Sequence, residues 1–113
     1  MAKKYLRKNE FRMDINPQHF GAEKQPHPTY ISARYGHKFK GNTITHSKFT
    51  TDGKETFDIH ENPDKTSKDK RKTRISPPFW QSDKLFSDNK LDNFRFSNNT
   101  RARVKKINKK SEK

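Results

Sequence analysis

Ten of the thirteen aromatic residues lie between Tyr30 and Phe96, and that clustering fixes where a core can form. Aromatic side chains supply the largest buried areas a small domain can muster. The rest of the chain is poor in apolar residues. Only 26 % of its residues are hydrophobic and 35 % are charged, close to the border with intrinsic disorder. With 113 residues, the chain is expected to hold one small domain built from part of its length.

No apolar run approaches the ~18 residues needed to cross a bilayer, and the N-terminus lacks the apolar stretch of a signal peptide. A membrane partner is therefore not expected. The absence of cysteine excludes disulfides and thiolate metal sites and points to the cytoplasm. The histidines His19, His27, His37, His46 and His60 show no HxH or HxxxH spacing. No metal or other cofactor is expected.

The net charge is +14, and three segments hold all of it. Residues 1–12 and 62–74 each carry +4, and residues 101–113 carry +6. Clustered cations are the electrostatic footprint of a polyanion partner, because each neutralised phosphate releases condensed counterions. Solubility alone needs a net charge of only ~2–8 in a small domain.

The expected class is α+β: a small antiparallel sheet with a short helix and basic, partly disordered tails. Residues 1–26 read as a basic N-terminal arm, 27–97 as a compact β-meander domain, and 98–113 as a basic C-terminal helix or tail. Within the meander, Gly41-Asn42 and Asp52-Gly53 are the expected hairpin turns. They separate strands over residues 29–40, 43–51 and 54–59. Residues 93–97 alternate as a fourth strand, and Ser82 is placed to cap a short helix over 82–91.

Those turns fix a register in which Phe39 opposes Ile44 and His37 opposes His46. Ile31, Ala33, Tyr35, Phe39, Ile44, Phe57 and Ile59 then share the core face. Opposed Cβ atoms lie ~4.5–5.5 Å apart, so His37 and His46 would divide general base and acid between them. Ser47 flanks them, and Arg74 would stabilise charge on phosphorus. For binding, the candidates are Lys68, Lys70, Arg71, Lys72 and Arg74 in the basic loop. Trp80 is the candidate base-stacking ring, and Arg101, Arg103, Lys105 and Lys106 are the C-terminal candidates.

The strings His27-Pro28-Thr29-Tyr30-Ile31, Thr45-His46-Ser47, Asn62-Pro63 and Lys68-Asp69-Lys70-Arg71 resemble small basic proteins of bacterial mobile elements and phages. Some of these are similar to the barnase–EndoU–colicin–RelE superfamily of nuclease domains. The resemblance covers roughly residues 27–97. It implies an antiparallel sheet with a His/Ser/Thr/Arg-type site that cleaves RNA without metal, nominating His46 with Ser47 or Thr45, and Arg74. The chain departs from the pattern in a long polar insertion between Asn62 and Pro77.

The leading expectation is an RNA-binding protein. The alternatives are a metal-independent, toxin-like endoribonuclease, and a phage or mobile-element protein that modulates an acidic, nucleic-acid-handling partner.

Overall fold

The computed structural model describes residues 4–5, 9–23, 25–69 and 71–111. Its strands are β1 (Lys4–Tyr5), β2 (Phe11–Asp14), β3 (His27–Tyr35), β4 (Lys38–Thr45), β5 (Phe57–Asp58), β6 (Arg74–Ile75) and β7 (Phe79–Ser82). One α-helix follows, α1 (Asn98–Ser111). The class is α+β, and every strand pair is antiparallel.

The central hairpin joins β3 to β4 at Gly36-His37, not at Gly41-Asn42. Gly36 takes a φ of +59°, which glycine adopts without steric cost. Gly41 and Asn42 lie inside β4, and each has a different reason to be there. A Cβ at Gly41 would fall 2.6 Å from the Thr29 methyl carbon, so glycine permits close approach of β3 and β4. Asn42 carries a buried amide contact to α1 (below). Gly41→Ala forces Thr29, itself fully buried, out of place. It should cost about 1–3 kcal/mol of unfolding free energy by denaturant titration.

Moving the turn five residues upstream overturns the expected faces. β3 and β4 pair in register except at Ser32, where one residue bulges between Ile31 and Ala33. Beyond the bulge, Ala33 and Tyr35 point to the face opposite Ile31. Phe39 and Ile44 also part company, because five residues separate them on one strand. Two clusters result. Phe11, Tyr30, Ile44, Ile59, Ile75, Phe96 and Val104 pack beneath α1. Ile31, Phe39, Phe79 and Phe86 fill the other face.

The other edge of β4 pairs with residues 74–82, which Pro77-Pro78 divides into β6 and β7. Between Gly41↔Phe79 and Ile44↔Ile75, β4 advances three residues and its partner four. A one-residue bulge thus carries both prolines past the ladder. Ser76 keeps contact there, its hydroxyl accepting from Thr43 N at 2.9 Å. The expected strand over 93–97 is reduced to a single bridge, Asp64↔Phe94. Asp52-Gly53 does turn the chain, with Gly53 at φ +86°, and Phe49 opposes Glu55 across it.

The described part of the expected arm belongs to the domain. Phe11 and Phe20 are both fully buried, and β2 pairs with β3. After β7, Ser82 caps a single 3-10 turn, Asp83–Leu85, in place of the longer helix expected. The chain then returns to the free edge of β2. Ile15 N donates to Leu85 O at 2.9 Å and Ser87 N to Met13 O at 2.8 Å, with Asp14 bridging Phe86. This closes β2, β3, β4 and β7 into a ring around the second cluster.

Candidate nucleic-acid interface

α1 begins where Ser97 offers its hydroxyl to Thr100 N at 3.3 Å, the N-cap arrangement. The cap is therefore Ser97, immediately ahead of the first helical residue, Asn98. Glu61 reinforces it, accepting from Ser97 N at 2.9 Å, Ser97 Oγ at 2.7 Å and Thr100 Oγ1 at 2.6 Å. A carboxylate at a helix N-terminus also faces the positive end of the macrodipole. Burial works against the Glu61 charge, yet the hydrogen bonds from Thr100 and Ser97 outweigh it and hold the carboxyl at about 2 rather than 4.5.

That lowered pKa has a definite sign. The stability it contributes is present above about pH 4.5 and lost as pH falls toward about 2, since the unfolded chain takes up the proton first. Acid titration of the helix signal should show a step in that window, and Glu61→Gln should flatten it. At neutral pH Glu61→Gln should cost about 1 kcal/mol, the scale of a weakened cap.

The sheet-facing side of α1 carries Thr100, Val104 and Asn108, all buried, with Arg101 and Ile107 half buried. This i, i+4, i+7, i+8 spacing is the stripe a docked helix needs. Asn108 and Asn42 exchange side-chain hydrogen bonds of 2.8 and 3.0 Å. Asn42 also donates to Ser76 O at 3.0 Å.

From Arg103 onward the outer side is cationic. Arg103, Lys105, Lys106, Lys109 and Lys110 are all exposed, and Asn98–Ser111 contains no acidic residue. Among the described residues, no carboxylate lies within 4 Å of any of these five. They span two turns, about 10 Å of helix axis. Arg101, expected among them, instead sits at the inward margin. Lys109 and Lys110 complete the surface, and the lack of any acid before Glu112 was the signal for them.

The basic loop is different. Lys65 pairs with Glu61 at 3.1 Å, Arg71 with Asp69 at 2.6 Å and Lys72 with Asp58 at 3.9 Å. Arg71 holds the Asp69 carboxyl well below the usual carboxylate range. Arg74 donates to Thr56 Oγ1 at 2.7 Å and to Thr56 O at 2.8 Å. Thr56 Oγ1 lies 2.6 Å from Ser47 O, so Arg74 secures the 46–56 hairpin. Lys68 is exposed, and Lys70 lies outside the described residues. Much of the loop's charge is thus answered within the loop and its neighbours.

The expected histidine pair is not formed. His37 occupies the hairpin turn, its side chain 85 % exposed and 3.8 Å from Asp83. His46 follows the far end of β4, roughly 30 Å of strand away. The relocated turn is the reason. His46 Nδ1 lies 3.0 Å from Lys72 O and Nε2 lies 3.4 Å from Asp69, so both ring nitrogens face loop partners. Ser47 is exposed, and its N–H donates to Thr45 Oγ1 at 3.0 Å. Trp80 is half buried on β7, whereas its neighbour Phe79 points into the second cluster.

Among the described residues, no group of three or more His, Asp or Glu side chains is arranged to hold a metal ion. No helix among them is long and apolar enough to cross a membrane. No family model, curated protein or solved structure matches this chain.

Proposed function

We propose that this chain binds nucleic acid through its phosphate backbone, with RNA as the partner and the outer face of α1 as the principal contact. One observation carries the reading: five exposed cations on an acid-free helix, with no carboxylate among the described residues close enough to neutralise them. Cations left open in this way can exchange counterions for phosphates at little cost. A chain that needed charge only for solubility would gain as much from cations interspersed with acids.

The basic loop is the secondary contact, through Lys68 and the exposed Lys72 and Arg71. For cleavage, a free imidazole and a free cation would have to meet at one phosphate. His46 and Arg74 instead each hold loop partners. Binding without cleavage is the reading these contacts favour.

The test is incubation of the protein with labelled RNA in EDTA, beside a His46→Ala variant, scoring gel shift and cleavage together. A shift without cleavage in both proteins is expected. Cleavage lost in His46→Ala, leaving 2′,3′-cyclic phosphate termini, would replace the binding reading with the nuclease one.

A further inference from the structure

The carboxylate of Asp69 is gripped from two separate parts of the chain. Arg71 closes on it as a fork, with Nη2 2.6 Å and Nε 3.0 Å from Oδ2. The backbone N–H of Arg71 donates to Oδ1 at 2.9 Å. From beyond the end of β4, His46 sets its Nε2 3.4 Å from Oδ2. Lys72 O, 3.0 Å from His46 Nδ1, fixes the ring in that orientation. A guanidinium fork, a backbone N–H and an imidazole converging on one oxyanion are also the donors that a phosphate recruits.

The grip is open to exchange. The Arg71 side chain is 69 % exposed and that of Asp69 26 %, so solvent and solutes reach the pair. An ion pair in such a setting contributes only ~0.2–1 kcal/mol, and a competing anion has little to overcome. Lys68 and Lys72, both exposed, flank the pair in sequence and add to the attraction for a phosphate.

We propose that Arg71 and His46 form a phosphate-binding subsite that Asp69 occupies in the free protein, and that a backbone phosphate of the bound nucleic acid displaces the Asp69 carboxylate from it. The inference rests on the nucleic-acid reading above and adds a guard to its secondary contact. Carboxylate and phosphate accept the same parallel donors from a guanidinium fork, so one replaces the other without rebuilding the loop. A free phosphate in solution competes poorly, because Asp69 is tethered two residues from Arg71. A strand already held on α1 presents its phosphates at high effective concentration, so the loop engages second. In the occupied subsite a protonated His46 donates from Nδ1 to Lys72 O and from Nε2 to the phosphate. That leaves no ring lone pair to act as a base, and the subsite binds without cleaving.

Asp69→Asn opens the subsite gently, since its amide oxygen can still accept from Arg71 N and only the charge is lost. Asp88→Asn, at an exposed position outside the loop, makes the same change in net charge and serves as the control. The experiment titrates each protein with labelled oligouridylate over a range of salt and follows the His46 ring resonances by NMR. Asp69→Asn should bind about threefold more tightly than wild type, the scale of an exposed ion pair. Its salt slope should steepen by about 0.7, one further phosphate on a single strand, whereas Asp88→Asn should keep the wild-type slope. The His46 resonances should move on binding in both wild type and Asp69→Asn. An Asp69→Asn gain no larger than that of Asp88→Asn, or His46 resonances that stay in place, would overturn the subsite and leave phosphate binding through α1 standing. Failure of the wild-type protein to bind oligouridylate would overturn both.

Discussion

Replacing Lys105, Lys106, Lys109 and Lys110 together with glutamine is expected to lower RNA affinity several hundredfold at about 0.1 M salt. On a single strand each neutralised phosphate contributes about 0.7 to the slope of log affinity against log salt. Losing four contacts should therefore take the slope from near −4 to near −1. The fold should survive. Removing the like-charged i, i+4 pairs Lys105–Lys109 and Lys106–Lys110 relieves repulsion of ~0.2–0.5 kcal/mol each. Losing two cations from the last turn removes a favourable dipole interaction of similar size. Stability should stay within about 1 kcal/mol of wild type, so a loss of affinity reports the interface rather than unfolding. The same substitutions at Lys68 and Lys72 should change the slope far less, because Lys72 already lies near Asp58 and the loop contributes fewer open cations.

The second large effect concerns how α1 is held. Asn42→Leu is expected to cost about 2–4 kcal/mol by denaturant unfolding. It strands the buried Asn108 amide and removes a donor from Ser76 O. A buried polar group left without a partner costs about 1–3 kcal/mol. The double variant Asn42→Leu/Asn108→Leu should recover most of the loss, since replacing both partners by apolar groups of similar shape is close to neutral. A favourable coupling in the double-mutant cycle would identify the amide pair as the clasp of the helix. If the two single losses simply added, the helix would be held by Val104 and Ile107 alone.

The amide pair also shows why part of this fold was hidden in the sequence. Gly41-Asn42 has the composition of a hairpin turn, yet its glycine serves a 2.6 Å approach to Thr29 and its asparagine serves a residue 66 positions away. Such needs are set by tertiary contacts and leave no local mark. Pro77-Pro78 interrupts the chain between β6 and β7, but a one-residue bulge lets both strands pair with β4 across it. Phe11 and Phe20 fall within the stretch expected to be a basic arm, because their packing partners, Phe96 and Tyr30 for one and His27 for the other, are distant in sequence or lie across a loop.

Other features were legible because their causes are local. The Asp52-Gly53 turn needed only a glycine at positive φ. α1 followed from Val104 and Ile107 at helical spacing among cations, and Ser82 capped a turn as its position suggested, although the turn was short. The candidate site divides in the same way. That Arg103, Lys105 and Lys106 face outward could be read from periodicity. Pairing of Arg71 with Asp69 was within reach of two-residue spacing. Engagement of Arg74 by Thr56 required the fold, as did the separation of His37 from His46, which a single misplaced turn had brought together.

The measurement that bears most directly on phosphate binding through α1 is a titration of labelled single-stranded RNA with the wild-type protein over a range of salt concentrations. A straight log–log plot with a slope near −4, corresponding to roughly five to six phosphates, is the predicted result. Affinity that holds level as salt rises would contradict it, and would direct attention from a phosphate backbone to a protein partner.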